Sequence, residues 1–107
     1  MKLLENKIRK NRFDYNLVKR TTSSAIYSQH HEGDIISYEV FKVKKVKSVE
    51  MFGNLVEAHE KFPSDNDFGI TAWSCRTLEK ANERFVTLEE EAITKNQKKD
   101  GYKNEEV

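Results

Sequence analysis

One stretch of this chain carries a sustained helical period. Leu78, Ala81, Phe85, Leu88 and Ala92 are spaced three, four, three and four residues apart. That spacing places them on one stripe of an α-helix. Val86 and Ile93 widen the stripe, and Glu79, Lys80, Glu83, Arg84 and Glu89 to Glu91 cover the solvent side. Thr77 stands at the N-cap position, with Glu79 in the electropositive first turn. Lys80 replaces the Glu that would complete a capping box. A helix with a single apolar stripe must bury it against another layer. The preceding residues have to supply that layer.

They read as strands. Residues 13–20 alternate, with Phe13, Tyr15 and Leu17 on one side and Asp14, Asn16 and Val18 on the other. Thr21 to Ser24 is a polar break, and Ala25 to Ser28 is a second short strand. His30-His31-Glu32-Gly33-Asp34 is a turn, Gly33 being free to take positive φ. The strongest strand runs from Ile35 to about Val46. Its apolar phase slips at Val40-Phe41, which predicts a bulge or burial on both faces. Ser48 to Asn54 turns around Gly53, and Leu55 to Phe62 is taken as strand.

Phe62 to Thr77 holds the only proline, tryptophan and cysteine. Pro63 closes a strand, Ser64 to Asp67 hydrogen-bond their own backbone, and Ile70 to Cys75 is the last strand. Trp73, Phe68 and Phe85 are assigned to the core, where aromatics bury the most area. Trp73→Ala is expected to cost roughly 3–5 kcal/mol. Strands first and one helix last give an α+β fold: a small antiparallel sheet of four to five strands, with one long C-terminal amphipathic helix packed on one face. At 107 residues the chain is one domain. Residues 1–12 form a basic N-terminal arm or short helix, with Leu4 and Ile8 at helical spacing. Residues 13–95 form the α+β domain, and 96–107 a disordered tail.

The sequence is poor in catalytic patterns. One cysteine excludes an intrachain disulfide and any Cys-based zinc cluster, and Cys75 reads as a buried, reduced thiol. His30, His31 and His59 are the only imidazoles, and neighbours along a strand face apart. Asp65-Asn66-Asp67 starts like a calcium loop, but Ile70 and Arg76 stand where Gly and Glu are required. Phosphate-binding glycine loops and hydrolase signatures are missing. The chain is therefore expected to be no enzyme and to hold no cofactor. No stretch approaches the ~20 apolar residues of a membrane span, and Met1 to Glu5 lacks a signal-peptide core. A cytoplasmic setting without membrane contact is expected.

Charge is divided unevenly. Residues 1–53 carry eleven Lys/Arg against six Asp/Glu, and residues 54–107 eight against twelve. Such a split points to an interaction surface, unless the halves interleave in one sheet. Lys19, Arg20, Lys42, Lys44, Lys45 and Lys47 are the candidate partner-binding residues. Clustered cations on strands with Tyr15, Tyr27, Tyr38 and Phe41 suit nucleic acid, RNA included. They also suit an edge strand guarded against aggregation.

Four segments carry a resemblance. Tyr38-Glu39-Val40, Pro63-Ser64-Asp65-Asn66-Asp67-Phe68-Gly69, Ala72-Trp73-Ser74-Cys75 and Thr77-Leu78-Glu79-Lys80-Ala81 look like a YEV strand, a PSDxxFG loop, a W strand and an xLExA helix. That series is similar to small uncharacterised phage and prophage accessory proteins, over roughly residues 35–88. The resemblance implies a bacterial host and a binding protein of the anti-CRISPR type. Its partner would be a host protein or nucleoprotein complex such as a CRISPR effector. The alternative is a small nucleic-acid-binding accessory domain.

Overall fold

A computed structural model describes the backbone of residues 1–105 and the side chains of residues 1–95. The chain runs β1 (Lys7–Lys10), β2 (Phe13–Arg20), β3 (Ser24–His31), β4 (Asp34–Lys42), β5 (Lys44–Val46), β6 (Val49–Met51), β7 (Asn54–Val56), β8 (His59–Lys61), a 3-10 turn (Asp65–Asp67), β9 (Ala72–Cys75) and α1 (Leu78–Glu105). The expected disordered tail, 96–107, falls outside the residues whose side chains are described.

The main sheet is antiparallel in the order β1-β2-β3-β4-β9. This is the α+β architecture expected, with five strands and one long helix on one face. Thr77 caps α1, its Oγ1 accepting from the Lys80 N–H at 3.2 Å. Ala81, Phe85 and Leu88 then pack on Ile26 and Val40, with Tyr38, Trp73 and Cys75 around them. Val86 and Ile93 stay exposed, because each directly follows a stripe residue, Phe85 or Ala92, and so lies about 100° around the helix from it.

The opposite face is buried as well, which explains the phase slip at Val40-Phe41. Val40 joins the helix cluster, while Phe41 joins Tyr15, Ala25, Tyr27 and Ala72 on the other side. Phe62 roofs that second cluster, its ring 4.9 Å from Tyr15, 5.5 Å from Tyr27 and 5.2 Å from Phe41. The N-terminal residues help to close it. Lys2 bridges His59 of β8, and Tyr27 Oη donates to the Glu5 carbonyl at 2.7 Å.

Several expectations need correction. The single strands expected from Ile35 to about Val46 and over Leu55 to Phe62 each break in two, into β4 and β5 and into β7 and β8, which join different sheets. Residues 7–10 form an edge strand rather than a helix or free arm, because Ile8 pairs with Tyr15 across a tight turn and gains the aromatic cluster. His30 and His31 belong to β3, the turn being Glu32-Gly33 alone. Phe68, the extended residue after the 3-10 turn, is 36% exposed. Trp73 is half-buried, with the Arg84 guanidinium 4.3 Å from its ring centroid.

A candidate docking surface

The two charged halves interleave, and their cations and carboxylates meet. Arg20 Nη1 and Nη2 donate to Glu60 Oε1 and Oε2 at 2.6 and 2.7 Å. Glu60 also accepts the Leu4 N–H at 2.9 Å, and its side chain is 2% exposed. The Arg20 fork holds the Glu60 carboxyl below its ordinary range, against the opposing effect of burial. Lys44 pairs with Asp67, whose carboxyl drops to about 2 through that ammonium and the Ser64 N–H. Lys42 lies 3.6 Å from Glu91, and Lys19 lies 4.7 Å from the Phe85 ring centroid. Of the six candidate partner-binding residues, four are therefore engaged within the fold. Lys45 and Lys47 are exposed and make no ion pair among the described residues.

Those two lysines stand on a ribbon that leaves the sheet. β5 pairs with β8 at its base, and β6 with β7 at its tip. The sequence predicts a turn over residues 48–54 and carries no local signal of what the tip displays. Val49, Met51, Phe52, Leu55 and Val56 are all exposed, Phe52 at 98% and Leu55 at 77%. The tip strands pack on each other, with no substantial packing on the sheet or helix among the described residues. Phe52 and Gly53 both have positive φ, +51° and +78°. That is the pattern of a two-residue hairpin turn, which favours Asn or Gly at the first position and disfavours a bulky aromatic. The chain thus holds an almost fully exposed, large apolar side chain in a costly conformation. Glu50 lies on the tip beside Leu55, and Glu57 meets the N-terminal ammonium at 3.7 Å.

Open grooves accompany the ribbon. One of about 560 Å³ runs between the N-terminal segment and β8, walled by Leu4, Ile8 and Phe62 with Lys7, His59 and Glu60. Its buried carboxylate is already taken by Arg20 and Leu4. On the sheet, Glu39 is buried with Ser74 Oγ donating to Oε2 and Ser37 Oγ 3.2 Å from Oε1. Burial raises its carboxyl above the ordinary value, against those hydrogen bonds. Ser37 donates to Gln29 Oε1 at 2.7 Å, so a protonated Glu39 would donate to Ser37 and complete the chain. Burial also raises the Cys75 thiol, with Arg84 opposing, which favours thiol over thiolate. Among the described residues no cluster of three His, Cys, Asp or Glu could hold a metal, and no helix is long and apolar enough to cross a membrane.

No protein-family model, curated protein or solved structure matches this chain.

Proposed function

We propose that this chain is a non-enzymatic binding protein that inhibits a host nucleoprotein enzyme of the phage-defence kind, such as a CRISPR effector. The β6–β7 hairpin is the docking element. Phe52 enters an apolar pocket on the partner protein, Leu55 and Met51 line its mouth, and Lys45 and Lys47 meet an acidic rim. The observation that supports this is the exposed Phe52 at positive φ. A strained residue at a functional position is retained when the strain serves a contact. Burying one such side chain is worth about 1.5–3 kcal/mol, and a few clustered anchors dominate many interfaces. The lysines add encounter rate and partner choice more than affinity.

The bacterial host and the defence target rest on the resemblance of residues 35–88 to small phage proteins. A phage-challenge assay tests the reading. Cells carrying a defined CRISPR effector should regain plaques when the chain is expressed, and Phe52→Asn should abolish the rescue while the protein stays folded. Absence of rescue across effector types removes the proposed target, and rescue undiminished by Phe52→Asn removes the docking element.

A further inference from the structure

Helix α1 covers only part of its face of the sheet. It packs on β3, β4 and β9 and reaches β2 at Lys19. β1, the start of β2 and the end of β3 lie beyond it. The pairing fixes what they display there. Lys7 stands opposite Asn16, Arg9 opposite Asp14, Asp14 opposite His30 and Asn16 opposite Ser28. Residues directly opposite in an antiparallel pair share a face. Lys7, Arg9, Asp14, Asn16, Ser28 and His30 therefore share one face, and all but the buried Ser28 line an open cleft of about 410 Å³.

The patch is held in place. Asn16 Nδ2 lies 3.2 Å and Ser28 Oγ 2.7 Å from His30 Nε2. Ser28 Oγ also lies 3.3 Å from the Asn16 carbonyl; when Asn16 Nδ2 donates, Nε2 accepts and a neutral ring carries its proton on Nδ1. Nδ1 has no acceptor among the described residues. Asp14 takes Arg9 Nη1, at 3.0 Å from each carboxylate oxygen, and leaves Nη2 and Nε unused. Lys7 makes no ion pair among the described residues. The unused groups are all donors: an ammonium, two guanidinium nitrogens and an imidazole N–H. Asp14 offsets one of the two cations, so the patch suits one anionic group rather than a long run of them.

We infer that this uncovered half-sheet binds a phosphate group through Lys7, Arg9 and His30. Arginine's planar fork and lysine's point charge are the usual pair for phosphate oxygens. Tyr38, opposite Ser28 on the same face and half-buried, offers a ring edge for an attached base. The phosphate is either a diester of single-stranded nucleic acid or a monoester of a nucleotide. This site lies apart from the docking hairpin and stands or falls without it.

The test is an amide and imidazole NMR titration of the full chain with orthophosphate, adenosine monophosphate and oligothymidylate in turn. Shifts should gather at Lys7, Arg9, Asn16 and His30. They should vanish in Lys7→Ala/Arg9→Ala and persist in Lys45→Ala/Lys47→Ala. Both variants change exposed side chains, and unchanged shifts elsewhere report an intact fold. Tighter binding of oligothymidylate, with a salt slope of about −0.7 for one phosphate, assigns the diester. Equal or tighter binding of the monophosphate assigns the monoester. No response to any of the three, or a response that survives Lys7→Ala/Arg9→Ala, overturns the site.

Discussion

Replacing Arg20 by alanine separates a structural arginine from an interface arginine. The guanidinium makes two short hydrogen bonds to Glu60, whose side chain is 2% exposed. Without it the carboxylate keeps only the Leu4 N–H, in a place water hardly reaches. Removing one partner of a buried pair costs about 3–5 kcal/mol, a large share of the roughly 5–15 kcal/mol that holds a domain folded. The pH dependence should change too. In the native protein the Glu60 carboxyl is lowered, so its contribution is present above the unfolded value and is lost as pH falls through the folded one. In Arg20→Ala burial acts without the cation, the carboxyl rises, and stability falls as pH rises. Urea unfolding at several pH values reads both effects, provided the m-value is unchanged. Glu60→Gln added to Arg20→Ala should recover part of the loss. A loss below about 1 kcal/mol, the range of an exposed pair, would refute the reasoning and free Arg20 for a partner.

Three other outcomes follow from the same geometry. Asp67 titrates at about 2 against an ordinary 3.8, so its contribution is fully present above 3.8 and disappears as pH falls through about 2. Lys44→Ala should move that acid limb upward in a melt series, and an unmoved limb would show the pair contributes nothing. Glu39 has the opposite sign, since its raised carboxyl gives stability below the unfolded value that is lost as pH rises through the folded one. Glu39→Gln should flatten the neutral-side decline in thermal melts, and a steeper decline would contradict this. Trp73→Ala should cost about 2–3 kcal/mol, under the range for a fully buried aromatic, because the ring is only half-buried and stacks against the Arg84 guanidinium. Denaturant midpoints would expose a loss of 4 kcal/mol or more as evidence of deeper burial.

The sequence made some of this legible and hid the rest for definable reasons. The helix from Leu78 and the strand from Phe13 carry their own periods, and a local period survives folding when one face is buried. The both-faces burial of β4 was visible as two adjacent apolar phases at Val40 and Phe41. β1 was hidden because Leu4 and Ile8 are four apart, a helical interval, while the partner that makes Ile8 a strand residue arrives only through the Asn11-Arg12 turn, with both φ positive. Lysines read as a free basic set were hidden in another way. Their acidic partners Glu60, Asp67 and Glu91 lie far along the chain, and no short-range pattern announces them. The phosphate patch needs the register of three strands at once. The hairpin turn was readable from Gly53, but nothing local says that Phe52 meets no core.

Phe52→Asn tests the central claim most directly, read by hydrogen exchange of the hairpin amides together with affinity for an effector that scores in the phage-challenge assay. Asparagine tolerates the left-handed conformation that costs a bulky residue about 1 kcal/mol, so tip exchange should slow by about fivefold at 1.4 kcal/mol per decade. Affinity should fall by about tenfold or more, from the loss of one buried aromatic. A hairpin that grows more stable while binding weakens is the result the account predicts; undiminished affinity would contradict it.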